Sequence, residues 1–86
     1  MNGITKTEIT AGVTSVVAKT LNIDEKRVKP KSDFVTDLGA DMWGKIRISN
    51  GIEARFGVEI PEKELLNMRT VETAVVCIAP FLKQKS

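Results

Sequence analysis

Apolar residues in this chain recur at helical spacing, and no stretch alternates polar and apolar side chains convincingly in the two-residue rhythm of a strand. That feature points to a helical domain. Ile9, Val13, Val16, Val17 and Leu21 fall on one helical face. Thr5, followed three residues later by Glu8, has the pattern of a capping box, in which each side chain satisfies a free backbone N–H at the helix start. The spacing predicts a helix from about Lys6 to Thr20.

Three further helical segments follow. Asp41 is placed to cap a helix from Met42 to about Phe56, with Ile48, Ile52 and Phe56 on one face. Gly57 can end it in the left-handed conformation. Pro61 opens a short helical turn through "EKELLN", with Leu65 and Leu66 expected to face inward. Thr70 caps a last helix carrying Val71, Ala74, Val75 and Ile78, which Pro80 must kink or end near Ala79 because it has no N–H to donate. Between the first two helices, "NIDEKRVKPKSDFVTDLGA" has the turn formers of a long ordered loop, pinned by Ile23, Val28, Phe34 and Leu38. The tail "KQKS" is expected to fray. The fold class that results is all-α, a small irregular four-helix bundle with a long loop between helices one and two.

A chain of 86 residues without an internal repeat has material for one small core, so residues 1–86 are expected to form a single domain. Apolar residues at 42% and charged residues at 28% match an ordinary globular balance. The net charge of +2 is too small an excess to imply nucleic acid by itself. One cysteine, Cys77, excludes an internal disulfide, and the N-terminus has no leader pattern, so a cytoplasmic or equivalent reducing compartment is expected. The longest apolar run, Ala74 to Leu82, is broken by Pro80 and falls short of the ~20 residues a membrane span needs. Enzymatic chemistry has little to stand on. There is no histidine, and Asp37, Asp41, Glu53 and Glu59 make no metal signature. Cys77 lies in an apolar helical stretch that favours a small buried side chain over a reactive thiol. No enzyme activity, no metal and no catalytic residue are expected.

The stretch "DFVTDLGAD", followed by "FGVEIPEKELLNMRTVETAV", resembles the acyl carrier protein family, and the resemblance covers nearly the whole chain. It implies that fold and a role in fatty-acid or polyketide-type synthesis. In that family the entrance to helix two reads Asp-Ser-Leu, and the serine is joined through a phosphodiester to 4′-phosphopantetheine, whose thiol carries acyl groups. Here the triplet is Asp41-Met42-Trp43. A thioether has no proton to lose and forms no phosphate ester, so Met42 cannot be the attachment point, and no cofactor is expected there. Ser49 lies seven residues along the helix, about 10 Å away at 1.5 Å per residue, and tends toward the buried face. Ser32 and Thr36 sit in the loop before the helix.

The resemblance also implies an acidic helix two that docks on basic partners. This helix instead has Lys45, Arg47 and Arg55 against Glu53 alone, and the three cations are either a recognition surface for an acidic partner or a solvated face. Gly44 and Gly51 weaken it by about 1 kcal/mol each against alanine. They either let a neighbouring backbone approach closely or reflect drift. Trp43 is either an exposed partner anchor or a side chain folded over the bundle, filling space an acyl chain would use. Met42 either plugs the bundle entrance or lies beside Trp43 on a contact surface. The candidate partner-binding set is Met42, Trp43, Lys45, Arg47, Asn50 and Arg55.

The leading expectation is a non-enzymatic protein of carrier fold that has lost the prosthetic group. It would act as an interaction or assembly subunit, a monomer or weak dimer, with an acidic protein such as a lipid-biosynthesis enzyme or an ordinary acyl carrier protein. One alternative is a working carrier with a relocated attachment site or an altered residue 42. A weaker one is a binder of nucleic acid or anionic membrane through Lys45, Arg47, Arg55 and the Lys83/Lys85 tail; nucleic acid is not the expected partner.

Overall fold

A computed structural model describes residues 4–82. Three α-helices form: α1 (Lys6–Leu21), α2 (Met42–Phe56) and α3 (Val71–Ile78). Short 3-10 turns occupy Glu25–Arg27, Glu62–Leu66 and Ala79–Phe81. The tail at 83–86, expected to fray, lies outside the described residues.

Each helix begins where its cap dictates. Thr5 accepts the Glu8 N–H at 3.1 Å while the Glu8 carboxylate accepts the Thr5 N–H at 2.9 Å, closing the capping box of α1. Asp41 Oδ1 accepts the Gly44 N–H at 2.8 Å at the start of α2. Thr70 accepts the Thr73 N–H at 3.1 Å, and the Thr73 hydroxyl accepts the Thr70 N–H at 2.8 Å, so α3 has a second box, with threonine where glutamate stands in the first. Asn22 (φ 57°) ends α1 and Gly57 (φ 68°) ends α2, both left-handed. Asparagine is one of the few side chains that tolerates this conformation, and α1 therefore extends one residue beyond Thr20, to Leu21.

The apolar faces converge on one core. Ile9, Val13 and Val17 from α1, Ile48 and Ile52 from α2, and Val71, Ala74 and Ile78 from α3 are all but inaccessible to solvent. Burying each valine or isoleucine among them contributes about 1.5–3 kcal/mol. Helices α1 and α2 run antiparallel, because Gly12 lies against Phe56, Gly51 against Val16 and Gly44 against Leu21.

The third of the four expected helices is a 3-10 turn, Glu62–Leu66, and Leu66 does not face inward: it is 74% exposed, whereas Leu65 is half-buried. At three residues per turn, successive side chains point about 120° apart, so only one of two adjacent leucines can meet the core. Cys77 is likewise half-buried where a buried position was expected.

The long loop is ordered by what it fastens. Phe34 is buried, its N–H donates to the Arg69 carbonyl at 2.8 Å, and the Glu72 N–H donates to the Pro30 carbonyl at 3.0 Å. Asp33 accepts from the N–H groups of Val35 and Thr36 and stands 3.6 Å from the Arg69 guanidinium. These contacts tie the loop to the start of α3 and fix where the chain enters α2.

Candidate functional site at the outer face of α2

The side chains of α2 sort by helical position into a buried row and an outward ridge. Gly44, Ile48 and Ile52 turn inward; Trp43, Arg47, Asn50 and Ala54, spaced at three and four residues, form the exposed ridge. Trp43 is 69% exposed and Met42 57% exposed. The reading in which the indole folds over the bundle is thereby overturned, and so is the one in which Met42 plugs its entrance. Both stand at the first turn of α2, where Asp41 caps the free N–H of Gly44 and the chain arrives from the loop, and among the described residues no element covers them.

Two hollows flank the ridge. On one side Ile46, Ser49, Asn50 and Glu53 meet Ile60 and Leu65 around a space of about 240 Å³. On the other, Gly51, Ala54 and Arg55 meet Ser15, Lys19 and Thr20 of α1 around about 410 Å³. Of the six candidate residues, Met42, Trp43, Arg47 and Asn50 share the exposed surface. Lys45 is half-buried and lines neither hollow. Arg55 is exposed at the far end of the helix, thirteen residues and about 20 Å from Met42, and its guanidinium end lies over Gly12.

Charge on this face is more one-sided than the helix composition implies. Glu53, the only acid on α2, turns to the Ile60 side, where its Oε2 accepts the Ile60 N–H at 2.6 Å. Lys45, Arg47 and Arg55 have no ion-pair partner among the described residues, whose recorded pair is Arg69 with Asp33. Lys19, Ser15 and Thr20 of α1 stand outside the candidate set and line the second hollow, a placement that depends on how α1 and α2 pack.

Hydroxyls near the entrance of α2 are scarce and engaged. Its first turn, residues 42–45, has none. Ser49 is 6% exposed. Ser32 accepts the Lys29 N–H at 3.1 Å, and Thr36 lies in the turn that Asp33 caps. Among the described residues no three His, Cys, Asp or Glu side chains group to hold a metal, and no helix is long and apolar enough to cross a membrane.

Residues 11–77 match a family model described as "Phosphopantetheine attachment site". Acyl carrier protein 2, mitochondrial, of Arabidopsis thaliana is 36% identical over 80 residues, covering 93% of this chain and 64% of that protein. The acyl carrier protein of Myxococcus xanthus is 37% identical over 70 residues, 81% of this chain and 89% of that one. The meromycolate extension acyl carrier protein of Mycobacterium tuberculosis is 32% identical over 75 residues, 87% and 65% respectively. The chain thus spans slightly less than two thirds of the Arabidopsis and mycobacterial proteins. The residues at the start of α2 do not fit the group this family model names, because a phosphodiester needs a hydroxyl and the first turn supplies a thioether instead.

Proposed function

The chain belongs to the acyl carrier protein family, and from that premise we propose that residues 1–86 act as one carrier-type domain that does not bear 4′-phosphopantetheine at the start of α2. It docks instead on an acidic protein of fatty-acid or related lipid or polyketide synthesis. The observation that carries this reading is Met42. It is the first residue of α2, directly after the capping Asp41, and is exposed to any transferase that reaches this end of the helix, yet it offers sulfur in place of a hydroxyl. Supporting it, Trp43 and Arg47 project from the same face, a large apolar side chain beside a cation, the pairing of residue types enriched in interface hot spots. A contact of this sort depends on Trp43 for affinity and on the cations for choice of partner and speed of encounter.

The test is intact mass after incubation with coenzyme A and a broad-specificity phosphopantetheinyl transferase, beside a Met42→Ser variant. The natural chain is expected to remain unmodified. A mass gain on the natural chain would sink the reading and direct attention to mapping the modified residue.

A second reading keeps the carrier activity with the group on another hydroxyl. What favours it is the span of the family match, residues 11–77, which includes the whole of α2. The same mass measurement separates the two.

A further inference from the structure

Lys19 on α1 and Arg55 on α2 stand on either side of a hollow of about 410 Å³ whose floor includes Gly51 and Ala54. No carboxylate lines it; its remaining polar edge is Ser15 and Thr20, both half-buried. Arg47 lies one turn before Gly51 and Arg55 one turn after, so a single row of α2 reads cation, glycine, cation. Val16 packs against Gly51 at the base of the hollow, and Ala54 adds only a methyl group to its rim. Lys19, Arg47 and Arg55 are all exposed and have no ion-pair partner among the described residues.

An open hollow of this kind would hold one free anion weakly, since an exposed ion pair contributes little against water. A partner presenting several carboxylates at matching spacing meets all three cations in one event. Arg47 and Arg55 are eight residues apart along α2, about 12 Å, or two steps of about one helical turn each. A protruding acidic side chain can enter the hollow between Lys19 and Arg55, and the approach is steered by the unneutralised field.

We propose that the α1–α2 groove is the seat for an acidic helix of a protein partner. Asp or Glu residues at four-residue spacing run along it, one carboxylate entering the hollow between Lys19 and Arg55 and another meeting Arg47. Trp43, one turn before Arg47, packs on the apolar flank of the same partner helix. This inference rests on the docking reading above and adds to it Lys19, the groove and the spacing of the partner's charges.

The test is titration of the isotope-labelled protein, followed by backbone amide shifts, with two alanine-based helical peptides. One carries Glu at three positions four residues apart; the other has Gln in their place. The Glu peptide is expected to shift Ser15, Lys19, Gly51, Ala54 and Arg55 saturably, with affinity falling about tenfold as ionic strength rises from about 50 to about 300 mM. The Gln peptide is expected to shift none of them. Lys19→Gln with Arg55→Gln is expected to weaken binding about tenfold or more. Ala54→Leu, at an exposed helical position, fills the hollow without changing charge and is expected to weaken it comparably.

Shifts of equal size at Lys6, Lys26, Lys29 and Lys63, no saturable shift at all, or full binding by Ala54→Leu would each overturn the groove. Shifts centred on Met42, Ile46 and Leu65 would also overturn it while leaving the docking reading intact. A phosphopantetheine adduct on the natural chain would remove the docking reading whatever the titration shows.

Discussion

Gly51 on α2 lies so close to Val16 on α1 that a β-carbon at residue 51 would stand 2.7 Å from the valine Cγ1. The expected approach of a neighbouring backbone is replaced by that of a side chain: Val16 packs against Gly51, and the α1–α2 hollow opens beside the contact.

The first prediction follows from that contact. Replacing glycine by alanine within a helix ordinarily gains about 1 kcal/mol. Here the new methyl meets a side chain stiff at χ1 and buried against the core, and overpacking of this kind costs about 1–3 kcal/mol. Gly51→Ala is therefore expected to destabilise the fold by about 1 kcal/mol in urea unfolding. A gain in stability would show that α1 and α2 separate readily.

A second prediction concerns acid. The Asp33 carboxylate accepts the N–H groups of Thr36 at 3.0 Å and Val35 at 2.9 Å, and these bonds, with the Arg69 guanidinium as a lesser cause, hold its pKa below the ordinary aspartate value. Because the folded-state value is the lower one, the contribution is complete above the unfolded value near ~3.9 and is lost as pH falls through the folded value. Asp33 is expected to titrate below ~3.9 by NMR. The thermal midpoint of Asp33→Asn, which keeps an acceptor and loses the charge, should depend less on pH in that range. A titration at or above ~3.9 would remove Asp33 as the loop's anchor.

The elements legible in the sequence were those with a local signal. Caps at Thr5, Asp41 and Thr70 and the terminator Gly57 set the helix starts and the end of α2 because each acts within a few residues of itself. Met42 as a chemical misfit was legible for the same reason, since a hydroxyl is present or it is not. Exposure at Trp43 and Met42 was not, because a tryptophan at a helix start is covered or bare according to what else in the fold packs there. Leu66 failed for a geometric reason: five residues wound as a 3-10 turn point differently from the same five in an α-helix. Lys19 was missed because its relevance depends on α1 and α2 lying antiparallel and in contact at Gly51, a relationship between two segments and a property of neither.

A third prediction uses Cys77. Partial burial on α3 raises its thiol pKa first, and a hydrogen bond with Glu64 and that carboxylate's charge raise it further. Since the thiolate is the reactive form, alkylation by iodoacetamide near pH 8 is expected to be several-fold slower in the folded protein than in urea. Glu64→Gln, which removes the nearby charge, should speed it. A folded-state rate equal to the unfolded one would mean that Cys77 is more open, and more polarised, than its position indicates.

The fourth prediction separates docking from stability at Trp43. An indole 69% exposed has little core packing to lose, so Trp43→Ala is expected to change unfolding free energy by no more than about 0.5 kcal/mol, the usual bound for surface substitutions. As the only tryptophan in the chain, it reports on itself. Its emission should be red-shifted and readily quenched by acrylamide in the free protein. It should become shielded when the acidic helical peptide binds in the α1–α2 groove, because Trp43 lies one turn from Arg47 along the same ridge. Truncation at an interface hot spot costs at least about 2 kcal/mol of binding, so a partner engaging Trp43 should bind Trp43→Ala roughly thirtyfold or more weakly while the variant unfolds as the natural chain does. If stability falls by several kcal/mol instead, the indole is part of the core and the outer face of α2 loses its anchor.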